Sequence, residues 1–177
     1  RQGLLEIAGG RELVSWGEIR VGLRTGAGDT KLRVGDPAFV PTDGFHRGEI
    51  FTRFSVDTLD SITFPRAGVF TSAEWLTSNT DWLAADEDFD QLLVRSTFAK
   101  TWGRHTLVST LRYDATISGQ APISNIYRFG GLFDLSGLGR GQLTGQHVAR
   151  LGTGYFRRIR DLALFPAVAG FSVEVGN

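Results

Sequence analysis

The chain has no cysteine and no methionine, only 5 prolines in 177 residues, and no net charge, its 19 basic side chains matched by 19 acidic ones. Without cysteine there is no disulfide framework, no thiolate metal site and no cysteine nucleophile. A net charge of zero gives no long-range pull toward nucleic acid or anionic lipid, so no polyanion partner is implied. No run approaches the roughly 20 apolar residues that a spanning helix needs, and no signal peptide opens the chain. Helical membrane insertion is excluded. The chain begins at Arg1 and stops at Asn177 directly after a strand-like run, and is expected to be an internal piece of a longer protein.

What the chain does have is alternation. From Glu18 to Arg24 charged and aliphatic residues change places at every step, and the pattern returns from Glu49 to Asp57 and from Gln91 to Ala99. A period of two puts charge on one face of a strand and apolar side chains on the other. With 23 glycines and 11% aromatics, the composition predicts an all-β chain. Eight strands are expected at about residues 2–8, 15–25, 47–58, 68–77, 89–100, 104–116, 146–159 and 167–176. Most exceed the soluble mode of about 5–6 residues and suit a tilted strand crossing a bilayer. The connections also alternate: short at Gly9 to Val14, Leu59 to Ala67, Thr101 to Gly103 and Arg160 to Pro166, but long at Gly26 to His46, Ser78 to Asp88 and Ile117 to Gly145. Short turns at one end and long loops at the other are the arrangement of outer-membrane barrels.

The fold expected is therefore an antiparallel up-and-down transmembrane β-barrel segment of about eight strands, part of a larger barrel. One parity supplies an uncharged set, including Ile19, Val21, Leu23, Phe54, Trp75, Phe98, Leu111, Leu151, Phe171 and Val175, that would face lipid. The other collects Glu18, Arg20, Arg24, Glu49, Arg53, Glu74, Arg95, Arg112, Asp114, Arg150 and Glu174, suited to a wet or plugged lumen. Trp16, Trp75, Trp82 and Trp102 fall near strand ends as members of an aromatic girdle. A soluble lipocalin-like barrel would hold the same apolar set inside, but leaves strand length and loop asymmetry unexplained.

Two stretches carry a resemblance. Asp57 to Gly68, DTLDSITFPRAG, followed by VFTSAEW, resembles the hairpin of Omp85-type (BamA-like, bacterial surface antigen) outer-membrane barrels, with an inward Glu74 on the second strand. Pro65 fixes φ, Gly68 relaxes the backbone, and Asp57 and Asp60 can cap turn amides. Arg128 and Phe129 to His147, FGGLFDLSGLGRGQLTGQH, resemble that family's inward-folding loop, through Gly130, Gly131, Leu135, Ser136, Gly137, Arg140 and Gly145. Ser136 stands where the family has a tip arginine. That variant is similar to the barrels at the C-terminal end of bacterial patatin-like phospholipases, the type V autotransporter branch, as are the run Gly17 to Arg24 and the ending SVEVGN. The resemblance implies upstream patatin and POTRA-like domains, further strands downstream, and about half of a barrel of roughly sixteen strands. It also implies a loop anchor on the wall, with Glu174 as the acidic partner and Arg128 or Arg140 standing in for the missing arginine.

Catalytic chemistry is not expected in this piece. The nearest approach to a Gly-x-Ser-x-Gly elbow, Gly170 to Glu174 around Ser172, lacks the last glycine and lies in a strand. His46, His105 and His147 lack zinc spacing, and Asp81, Asp86, Glu87, Asp88 and Asp90 lack the order of a calcium loop. Gly137 to Gly141 opens no helix and so is no phosphate cradle. Arg157, Arg158 and Arg160 end a strand, as lumen charge and interfacial anchors. The sequence reading is thus a translocator or anchor module of the bacterial outer membrane, without cofactor or metal. Its expected partners are outer-membrane lipids and a covalently attached upstream domain, with a homo-oligomer left open. A passive pore is the alternative.

Overall fold

The computed structural model describes residues 2–29, 44–132, 134–161 and 166–177, with backbone alone for Gln2, Asp29, Arg160, Asp161 and Pro166. The long strands are β1 (Gln2–Val14), β2 (Gly17–Asp29), β3 (Gly44–Asp57), β4 (Gly68–Ser78), β5 (Phe89–Trp102), β6 (His105–Gly119), β9 (His147–Asp161) and β10 (Pro166–Gly176). They form one antiparallel sheet in chain order, an up-and-down meander of eight strands. Between β6 and β9 lie β7 (Tyr127–Phe129) and β8 (Leu143–Gly145), which pair only with each other, and a four-residue helix α1 (Thr80–Leu83) sits between β4 and β5. Among the described residues β1 and β10 are not bonded to each other, so the sheet is not closed into a barrel.

The register keeps the two parities apart across the whole sheet. Ile19 faces Phe54, Trp75 faces Leu92, Val94 faces Tyr113, Leu111 faces Leu151 and Tyr155 faces Phe171 on one side. Arg24 faces Glu49, Arg53 faces Glu74, Arg95 faces Arg112, and Arg112 faces Arg150 on the other. Apolar side chains on the first face stand uncovered, Ile7 at 67% and Phe171 at 66% exposure. The two clusters of buried hydrophobic residues lie on the charged face instead. One holds Phe51, Leu76, Phe89 and Ala121; the other holds Tyr127, Phe129 and Val148. The accessible surface, 11712 Å², exceeds the roughly 8,500 Å² of a compact monomer of this mass.

The first strand corrects the sequence expectation. Gly9 and Gly10 read as a turn, yet β1 runs on to Val14 and the turn is Ser15 and Trp16. Both glycines sit in the ladder, opposite Val21 and Arg20. A Cβ on Gly10 would come within 2.7 Å of Arg20 Cγ, so the missing side chain serves cross-strand packing rather than a turn. The strands β2, β3, β6 and β9 likewise extend beyond their expected ends. Residues 30–43 of the long connection from Gly26 to His46, and residues 162–165 of the short one from Arg160 to Pro166, lie outside the described residues.

Candidate functional site

The site is the charged face together with the two connections that fold over it. Its floor is a set of ion pairs spaced two residues apart along neighbouring strands. Glu49, with no exposed side-chain surface, accepts from Arg47 at 2.7 Å and Arg24 at 3.4 Å. Glu74 accepts from Arg53 Nε at 2.7 Å and from Arg24 at 3.3 Å, and Arg24 also reaches Glu6 at 3.0 Å. The guanidinium carbons of Arg24 and Arg53 lie 4.6 and 5.2 Å from the ring centre of Phe51, so cation–π attraction adds to the pairing. Further along, Asp114 is fully buried between Arg95 and Arg112, with Arg112 Nε at 2.8 Å. The last pair is Arg150 with Glu174, at 2.8 Å. Each group is close to neutral, which is what lets so many charges leave bulk water together.

The β6–β9 connection covers this floor. Asn125 donates its Nδ2 to Glu49 at 2.7 Å across 76 residues of chain, and Gln91 Nε2 holds the Asn125 carbonyl at 3.2 Å. Gln146 closes the base of the loop, accepting from Thr116 Oγ1 at 2.7 Å and donating to the Ala121 carbonyl at 2.8 Å. Phe129, 1% exposed, lies 5.7 Å from Arg112, and its ring occupies the space that a Cβ on Gly176 would enter. Arg112 also donates to Asp134 at 2.8 Å and to the Arg128 carbonyl at 3.2 Å. Burial is the main cause that pushes the Tyr127 phenol up from its ordinary value, and its hydroxyl donates to the Ala115 carbonyl at 3.4 Å.

The loop tip turns through Leu135, a non-glycine residue at φ 69, a conformation costing about 1–2 kcal/mol. The turn aims both the backbone N–H and the hydroxyl of Ser136 at one oxygen of Glu174, at 2.7 and 2.9 Å. Glu174 is therefore the wall partner of the tip. The expected stand-ins are not used: Arg128 and Arg140 are exposed and form no ion pair among the described residues, and Arg150 of the wall supplies the guanidinium to Glu174. Gly130 and Gly131 carry φ of 115 and 121, beyond the reach of most L side chains, and Gly141 N–H returns to the Gly130 carbonyl at 3.1 Å. Gly145 pairs with Tyr127, while Gly137 has open space around it.

The other connection, residues 58–67, crosses the opposite end. Asp57 Oδ1 accepts from Leu59 N–H at 3.0 Å, and Asp60 Oδ1 accepts from the N–H groups of Arg66 and Ala67 at 2.8 and 3.1 Å. Those two bonds hold the Asp60 carboxyl below the usual carboxylate range. Gly68 has φ 106, and a Cβ there would lie 2.1 Å from the Thr58 carbonyl oxygen. Phe64, next to Pro65, packs edge-on to Phe156 of β9 with ring centres 5.3 Å apart. A cleft of about 480 Å³ lies beside this connection, lined by Phe64, Pro65, Phe156, Arg150 and Glu174 among others.

Several site residues were not foreseen from sequence, namely Phe51, Asn125, Asp134 and Gln146. A signal existed for the first. Phe51, Leu76, Leu93 and Val148 are apolar residues on the charged parity, and they are the ones that meet the loop. The acidic run after α1 has a local use, Asp86 capping His46 N–H and Asp88 capping Thr80 N–H, both at 2.7 Å. Among the described residues no group of histidine and carboxylate side chains could hold a metal ion. Ser172 is an exposed residue of β10 opposite Gly154, without an oxyanion-hole turn around it. No protein-family model and no curated protein matches the chain.

Proposed function

We propose that the chain is a segment of an outer-membrane β-barrel, with its apolar face against lipid and its charged face toward a lumen that its own β6–β9 loop occupies. One observation carries this reading: the chain's own loop covers the charged face and leaves the apolar one bare. A soluble sandwich or lipocalin buries the opposite face. Uncovered apolar area of this extent needs a solvent other than water. Strands of 11 to 15 residues and tryptophans exposed at both ends of the sheet support it.

Within that reading, the two stretches that resemble Omp85-type barrels are the two connections that fold over the charged face, which favours a translocator or anchor over an open pore. The parent would then be an Omp85-family protein, with a patatin-like phospholipase as the specific candidate. This segment would tether or export the attached domain and perform no catalysis itself. The test is expression behind an outer-membrane signal, followed by membrane fractionation and gel mobility with and without heating. Detergent-extractable, heat-modifiable protein is expected. A stable monomer extracted without detergent would overturn the proposal.

A further inference from the structure

The charges of this chain cancel overall, yet they do not cancel locally. On the charged face Arg24, Arg47, Arg53, Arg95, Arg112 and Arg150 are all paired with carboxylates. At the short-turn end of β5, β6 and β9 the situation is reversed. Lys100, Arg104 and Arg157 are exposed and form no ion pair among the described residues, and no Asp or Glu occurs from Ser96 to Leu111, from Arg150 to Arg160 or from Ala167 to Val173. Lys100 and Arg157 belong to the apolar face. Trp102, His105 and Arg157 stand in one cross-strand row, and Lys100, Leu107, Tyr155 and Phe171 in the next.

Aromatic rings run through both rows. Trp102 stacks on His105 at 6.3 Å, His105 on Tyr155 at 5.8 Å, and Tyr155 meets Phe171 at 5.6 Å. Such a continuous band is amphipathic, apolar in its rings and polar at its edges, and it marks the level at which hydrocarbon gives way to headgroups. Lone cations at that level, with no ion pair to a carboxylate among the described residues, lack a counter-ion of their own. Burying them halfway into an interface costs least where phosphate oxygens are dense.

We propose that this basic and aromatic row is a docking surface for anionic phospholipid, Lys100 and Arg157 taking headgroup phosphates while Trp102, Tyr155 and Phe171 seat in the acyl boundary. The inference rests on the membrane reading above and adds to it a lipid class and a sidedness: the short-turn end faces the leaflet rich in anionic phospholipid.

The test is insertion of the full chain, refolded from urea, into phosphatidylcholine vesicles with and without about one third phosphatidylglycerol, read by heat-modifiable mobility. Insertion about tenfold faster or more with phosphatidylglycerol is expected, with the advantage lost in the Lys100→Gln/Arg157→Gln variant. It should also vanish for the unaltered chain at 1 M salt, where screening acts over about 3 Å, and this second arm does not depend on the variant folding. Equal insertion into both vesicles would overturn the lipid inference and leave the membrane reading standing. A phosphatidylglycerol advantage that survives the double variant would overturn the assignment to these residues. Insertion into neither vesicle would sink the membrane reading and this inference with it.

Discussion

The two connections that cross the charged face are held by different physics. Residues 58–67 are held almost wholly by themselves: Thr58 N–H bonds Val69 O at 2.8 Å, Asp60 N–H bonds Ala67 O at 3.1 Å, and the Asp57 and Asp60 carboxylates cap amides within seven residues. Their one aromatic contact with the far strands is Phe64 on Phe156. Residues 120–146 are held from outside, by Glu49 of β3, Gln91 of β5, Arg112 and Thr116 of β6, and Glu174 of β10. A locally bonded turn forms wherever its sequence is placed. A loop fastened to four strands exists only once the sheet is assembled, and its release is expected to leave that sheet standing.

That contrast is open to attack at graded strength. The most damaging change should be Phe129→Ala, which empties a fully buried site beneath the loop and should weaken loop docking by about 3 kcal/mol or more. Protease cleavage between Gly130 and Gly141 should rise sharply while heat-modifiable mobility persists; loss of both would mean that loop and sheet are one cooperative unit. Glu49→Gln comes next, since it leaves Arg24 and Arg47 short of a buried counter-charge and should cost about 3 kcal/mol. Thermal unfolding should expose it, and Asn125→Ala, which spares the ion pairs, should be milder.

Ser136→Ala is smaller still. It removes the hydroxyl bond to Glu174 but keeps the backbone one, so about 1 kcal/mol of tip attachment is expected to go, visible as faster amide exchange at residues 135–137. An unchanged exchange rate would show that the backbone bond alone fixes the tip. The mildest test is at the turn. Its Asp60 carboxyl is held below its ordinary value by two N–H donors, so its contribution is present above the unfolded value of about 3.9 and is lost as pH falls through the lower folded one. The stability difference between the unaltered chain and Asp60→Asn should therefore be constant near neutral pH and shrink only below about pH 4. A difference that changes between pH 5 and pH 8 would place its origin elsewhere.

The turn was more legible than the loop for the same reason. Asp57, Asp60, Pro65 and Gly68 act on neighbours within a dozen positions, and their roles follow from residue type. Glu174 was found as the wall partner, but its guanidinium is Arg150 on the adjacent strand rather than Arg128 or Arg140 in the loop, because cross-strand register sets that distance and chain proximity does not. Gly10 misled in the same way: glycine marks either a turn or a close packing contact, and only the neighbour across the ladder tells which.

The amino-acid order alone determined the eight long strands, their up-and-down order and the division into an apolar and a charged face, since a period of two needs nothing beyond the pleat of each strand. The short pair β7 and β8 inside the long connection, three residues each, is too brief to show that period. Which face the chain would cover was decided only in three dimensions. The alternating pattern is symmetric between the two choices. Bonds such as Asn125 to Glu49, 76 residues apart, break that symmetry only after β3 and β6 have taken their places in the sheet.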